Sequence, residues 1–187
     1  MAAMRVVLLG APGSGKGTQG RQLAQRFGVP HIASGDLLRA EVRARTELGR
    51  LVAGYLDSGQ LVPDDLVFDL VLPVVLAAAQ AGGYFLDGFP RSVAQAVRAE
   101  SALAASDAAP QRVIFLAVEE RLLVSRLLER ASAGRSDDTA DVIADRLRVF
   151  EFETRPLIEH YRARGLLREV PADQPAEHVT TAIVEVL

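Results

Sequence analysis

The segment Gly10-Ala11-Pro12-Gly13-Ser14-Gly15-Lys16-Gly17-Thr18 sets four glycines around one lysine. Glycines at this density let the backbone wrap so that successive N–H groups point inward, and a helix starting behind the loop adds the positive end of its dipole. The product is an anion cradle. Lys16 is the only lysine among 21 basic residues, the rest being arginine, so a compact ammonium is kept for this one place. The GxxxxGK spacing is that of a loop holding a donor nucleotide's phosphates, with the lysine reaching the β and γ groups. A plain Gly-rich turn between strand and helix is the simpler alternative, but it leaves the lone lysine unexplained. Gly17 stands where serine or threonine usually follows the lysine, and Thr18 comes one residue later.

A second chemical segment is Asp87-Gly88-Phe89-Pro90-Arg91, directly after the apolar run Tyr84-Phe85-Leu86. A charge ending a buried strand is costly unless something uses it, and the carboxyl edge of a parallel sheet is where open α/β folds bind ligands. Asp87 is therefore expected to hold magnesium, through water because that ion keeps much of its hydration shell. An Asp-Gly turn is the innocent reading. The histidines, His31, His160 and His178, are too scattered to suggest a metal cluster or a general base. Arginines abound instead. An acceptor phosphate oxygen is already ionised at neutral pH and needs positioning and charge relief rather than a base, and planar guanidinium forks supply both. The residue types point to phosphoryl transfer between two phosphorylated molecules.

These groups need a frame that brings them together. Arg5 to Leu9 reads as a strand and Gln19 to Phe27 as a helix, with the Gly-rich loop between them. Further strands are expected at Tyr84 to Leu86, Val113 to Val118 and Leu166 to Val170, and more weakly at Pro30 to Ala33. Helical periodicity covers Leu66 to Ala81 and Glu119 to Arg130. Strands alternating with helices imply a parallel sheet covered on both faces. Two segments break the alternation. Ser34 to Val62 is nearly all helical in pattern and contains no strand, starting near Gly35 and Asp36 and turning at Asp57 to Gly59, and reads as a small helical insert. Ala131 to Asp141 is nearly devoid of apolar residues and reads as a mobile surface loop.

Composition bounds the possibilities. At 187 residues one core is expected. Hydrophobic residues at 49% and charged residues at 24% are ordinary for a folded soluble domain. A net charge of −3 disfavours a nucleic-acid binder, which is usually strongly basic. No apolar stretch is long enough to span a bilayer and no signal segment is apparent, so a cytoplasmic protein with no membrane association is expected. With no cysteine, neither a disulfide frame nor a thiolate zinc site can form.

The motifs GAPGSGKGTQ at 10–19, SGDLLR at 34–39, GQLVPD at 59–64 and DGFPRSVAQ at 87–95, with the arginines of the final third, resemble the adenylate kinase family over nearly the whole chain. That resemblance implies a P-loop NTPase fold with a five-stranded parallel sheet flanked by helices. It assigns 1–33, 63–129 and 142–187 to the core, 34–62 to a helical monophosphate-binding insert and 130–141 to a short lid of the zinc-free kind. The implied reaction is reversible, ATP and AMP giving two ADP in adenine nucleotide homeostasis, with magnesium and in a monomer. By the same resemblance Gly13, Ser14, Gly15, Lys16, Gly17 and Thr18 bind ATP, together with Arg126, Arg130 and Gln174. Ser34, Arg39, Gln60, Leu61, Val62, Gly88, Arg91 and Gln95 take AMP. Arg135 and Arg146 close over the transferring group, oriented by Asp137 and Asp138. The catalytic set is then Lys16, Arg91, Arg126, Arg135 and Arg146, with Asp87 at the metal. Related readings are a UMP/CMP kinase, which tends to carry a small apolar residue and an asparagine where Ser34 and Gln95 stand, a slowly hydrolysing nucleotide switch, and a generic small-metabolite kinase.

Overall fold

The computed structural model describes residues 3–132 and 139–187, the side chains of 130–132 excepted. Its frame is one five-stranded sheet of β1 (Met4–Leu9), β2 (His31–Ala33), β3 (Gly83–Asp87), β4 (Arg112–Ala117) and β5 (Leu167–Pro171). The strands lie in the order β2-β3-β1-β4-β5 and every pairing is parallel. Each expected strand is present to within a residue or two at its ends.

Parallel strands are apolar on both faces because helices cover both, and β1 shows how the two are divided. Val7 and Leu9 pack with residues of α4 (Asp64–Gln80), α5 (Val93–Ala104) and α8 (Leu157–Ala163). Val6 and Leu8 face the other way, onto α1 (Lys16–Phe27) and α9 (Ala176–Val186). All four are at most 3% exposed. Burying such side chains contributes about 1.5–3 kcal/mol each before entropy is counted, so register in the central strand is strongly fixed.

The segment after β2 contains α2 (Ser34–Ala44) and α3 (Glu47–Asp57) and no strand, as expected. Thr46 caps α3 by accepting the Gly49 N–H at 2.9 Å. Leu38 of α2 and Val52 of α3 join the same apolar cluster as α4. α4 runs as one helix through Pro73.

The expected loop at 131–141 is shorter than the sequence suggests. α6 (Glu120–Ser132) continues into its first two residues, and α7 (Ala140–Val149) claims its last two, capped by Thr139, whose hydroxyl faces the Val142 N–H. Small and charged residues are poor loop markers where a Thr cap and an acidic first turn support a helix. α7 runs into a π-helical turn at Phe150–Thr154, which no periodicity in the sequence announces. No helix among the described residues is long and apolar enough to cross a membrane.

Candidate active site

Register brings the chemical segments to one edge. Leu8 and Ala33 both pair with Asp87, so the ends of β1, β2 and β3 form a row at the carboxyl side of the sheet. β1 lies between β3 and β4, the point where strand order reverses and α/β sheets open a crevice. A cleft of about 730 Å³ opens there.

The Gly-rich loop forms one wall. Gly15 adopts φ 98° and caps α1, a left-handed conformation that a side chain would strain; the turn is closed by the Gln19 N–H donating to Gly15 O at 2.9 Å. The Lys16 Nζ donates to Gly10 O at 2.7 Å and to Ala11 O at 3.0 Å, which keeps the ammonium at the mouth of its own loop. Ser14 is 2% exposed and its hydroxyl has no hydrogen-bond partner among the described residues, an uncommon state for a buried polar atom. Gly13, Gly17 and Thr18 line the same wall.

Asp87 ends β3 opposite the loop. Burial acts to raise its pKa, but the neighbouring His31 imidazole, Lys16 and Arg91 outweigh that and hold it below the ordinary carboxylate value. The His31 Nε2 stands 3.8 Å from Asp87 Oδ2 and has no hydrogen-bond partner among the described residues, so its influence is that of a close ring rather than a formed hydrogen bond. The result is an anion at neutral pH in a largely dry setting. Among the described residues no group of three or more His, Cys, Asp or Glu converges. One ionised carboxylate suits magnesium, which takes its remaining ligands from water and phosphate.

The wall beyond Asp87 is a hydrogen-bonded net around Gly88. Its carbonyl accepts from Ser34 Oγ at 2.7 Å and from Arg91 Nε at 2.8 Å. Gly88 has φ 78°, and a methyl there would stand 2.7 Å from Ser34 Oγ, so the net closes only around glycine. The Arg91 N–H donates to Gln95 Oε1 at 2.7 Å, and the Arg91 carbonyl accepts from Thr154 Oγ1 at 2.8 Å. Gln95 Nε2 in turn donates to Asp64 Oδ1 at 2.6 Å. Ser34 and Gln95 are at most 2% exposed, and with Val62 they line a small pocket adjoining the cleft.

The remaining predicted residues distribute as follows. Arg39, Gln60, Leu61 and Gln174 line the main cleft, with Arg39 paired to Asp36. Arg126 lies on α6 and donates to Ala172 O at 2.9 Å, tying that helix to the turn after β5. Arg146 of α7 reaches Leu56 O at the end of α3, at 3.4 Å. The structure thus brings Lys16, Arg91, Arg126 and Arg146 to one cleft. Arg135, Asp137, Asp138 and the side chain of Arg130 lie outside the described residues.

Three participants in this geometry had no role in the sequence reading. Asp64 sits inside the quoted GQLVPD motif, where its side chain was passed over. Thr154 carries no local signal, because its position depends on the π turn. His31 was seen only as one of three scattered histidines.

The comparisons with known proteins agree with this geometry. The family model described as adenylate kinase matches residues 8–166. A protein named adenylate kinase from Rhodococcus erythropolis is 48% identical over 159 residues, covering 85% of this chain and 86% of its own. Another so named, from Porphyromonas gingivalis, is 40% identical over 185 residues, with 98% and 95% covered. One from Lachnospira eligens is 37% identical over 212 residues, covering 98% of this chain and all of its own. With a matched model across most of its length and relatives aligned nearly end to end, the chain belongs to the adenylate kinase family.

Proposed function

We propose that the chain transfers the terminal phosphoryl group of ATP to AMP, reversibly, giving two ADP. The observation that carries this reading is the pairing of an anion cradle at Gly10–Thr18 with an arginine-bearing net at Gly88–Gln95 along one sheet edge, an ionised carboxylate between them. Family membership supports it over the UMP/CMP kinase and the nucleotide switch.

In this reading Gly13, Ser14, Gly15, Lys16, Gly17 and Thr18 hold the donor phosphates, and the partnerless Ser14 hydroxyl gains a phosphate oxygen. Arg126 and Arg130 flank the donor, and Gln174 meets its base. Arg39 and Arg91 hold the acceptor phosphate, while Ser34, Gln60, Leu61, Val62, Gly88 and Gln95 enclose the acceptor nucleoside. An acceptor phosphate oxygen attacks the terminal phosphorus in line, the bond to the bridging oxygen breaks, and ADP leaves. No proton is abstracted, so no general base is needed. Lys16, Arg91, Arg135 and Arg146 offset the charge that spreads over the equatorial oxygens. Magnesium bound with ATP would supply further charge neutralisation on the phosphates, and Asp87 is the residue to hold it, through the ion's water. Residues 34–62 serve as the acceptor insert and 130–141 as a short lid on the core of 1–33, 63–129 and 142–187. The enzyme works as a cytoplasmic monomer, without nucleic acid, membrane or zinc.

A coupled assay across AMP, UMP, CMP and GMP tests the reading, with AMP expected to give the highest kcat/KM. Equal efficiency with UMP or CMP would reduce the assignment to a monophosphate kinase of open base preference. ATP turnover undiminished by omitting the monophosphate would point to the switch.

A further inference from the structure

The bonds around Gln95 decide more than its position. A side-chain amide offers an oxygen with two lone pairs and a nitrogen with two protons. In this chain one lone pair takes the Arg91 N–H and one proton goes to Asp64 Oδ1, leaving one acceptor and one donor side by side. Only this orientation satisfies both neighbours, which settles which end is oxygen. A reversed amide would set NH2 against the Arg91 N–H and oxygen against the Asp64 carboxylate.

The spare pair matches one purine edge and opposes another. Adenine presents a donor at N6 and an acceptor at N1, so Oε1 accepts and Nε2 donates. Hypoxanthine, with O6 and N1–H, has the same outline but asks for the reversed amide. Of the two groups that fix the orientation, the Arg91 N–H is backbone, and Asp64, the first residue of α4, is the one a substitution can remove. We propose that Asp64 is a specificity-determining positioning residue, which locks the Gln95 amide in the orientation that reads 6-amino purines and rejects 6-oxo purines. This rests on the reading that Gln95 faces the acceptor base.

The test compares kcat/KM for AMP and IMP, two monophosphates of nearly equal size, in wild type, D64A, D64N and Q95A. Wild type is expected to prefer AMP. Losing one hydrogen bond to the amide should narrow the AMP/IMP ratio in D64A by roughly 2- to 12-fold, carried by KM for the monophosphate, with KM for ATP unmoved. D64N should restore the ratio, because an amide oxygen can still accept from Nε2. A merely structural Asp64 would weaken AMP and IMP alike and leave the ratio at its wild-type value. That result, with Q95A collapsing the ratio, overturns the role of Asp64 and keeps the base reading. A ratio untouched in Q95A removes the base reading and the lock with it. If D64A does not fold, D64S takes its place, since serine suits a first helical turn and is too short to reach Gln95. Independently of turnover, the Gln95 side-chain NH2 signal, assigned by its loss in Q95A, should shift in D64A, because one of its protons loses the Asp64 carboxylate. An NH2 signal left in place by D64A would overturn the lock.

Discussion

The two walls of the cleft are built on different terms. The wall proposed to hold the donor is one continuous stretch, Gly10–Thr18, whose groups are backbone N–H dipoles, one ammonium and two hydroxyls, with its internal bonds spanning six residues or fewer. The wall proposed to hold the acceptor gathers Ser34 from α2, Asp64 from α4, Gly88 and Arg91 from the loop after β3, Gln95 from α5 and Thr154 from the π turn. Its bonds join residues up to 63 positions apart. A local cradle serves any triphosphate tail, whereas telling one base from another takes side chains placed from several directions.

This contrast can be broken at either wall, and the largest effect should come from removing the magnesium proposed to be bound with ATP. Chelation with EDTA is expected to abolish turnover and magnesium alone to restore it. Stoichiometric zinc in active protein, measured by metal analysis, would contradict this.

Next in size is Lys16→Met. Removing one preorganised charge from the transferring group should lower kcat by about 10²-fold or more, with circular dichroism unchanged because the Lys16 ammonium donates to carbonyls of its own loop and methionine keeps the length of its stem. Retention of over half the activity would mean the loop does not hold the donor.

Gln95→Ala should act on the acceptor alone. Leaving the site's polar groups unpaired costs about 1–3 kcal/mol, or roughly 5- to 150-fold in kcat/KM for AMP, with ATP affinity nearly unchanged. The geometry adds a second consequence, since Oε1 also holds the Arg91 N–H, so phosphate positioning should suffer along with base selection. Steady-state kinetics with AMP and with inorganic monophosphate analogues would separate the two losses.

Thr154→Val probes the far end of the same net at similar volume. Loss of its bond to the Arg91 carbonyl should reduce kcat/KM for AMP by roughly 2- to 12-fold, the net worth of one hydrogen bond, and leave KM for ATP alone. An equal loss on the ATP side would show that the walls are not independent.

The smallest effect is on acid stability. The Asp87 pKa is lowered in the folded chain, so Asp87 contributes stability that is fully present above its unfolded value and is lost as pH falls through the folded one. Asp87→Asn should therefore flatten the acid limb of the unfolding profile, read by denaturant titration at several pH values.

How much of this was legible beforehand follows the same division. Strand periodicity, the loop spacing, the lone lysine and the carboxylate ending β3 are local patterns, and they gave the sheet, the Gly-rich loop at its edge and the position of Asp87. The helical character of residues 34–62 was equally plain, because helical periodicity and a turn at Asp57–Gly59 leave their mark in neighbouring residues. The ends of the polar stretch were misjudged, since capping by Thr139 and extension of α6 outweighed a composition that resembles loop. The roles of Asp64 and Thr154 were not legible at all. A threonine in a π turn or an aspartate opening a helix reads the same wherever it points, and its partner is chosen by how α4, α5 and the π turn pack. The sequence by itself determined which chemistry is possible, because glycine conformations, charge and apolar periods act over a few residues. The tertiary structure alone decided which polar atoms meet around Gly88, because hydrogen bonds are short and directional and their partners here come from chain positions dozens of residues apart.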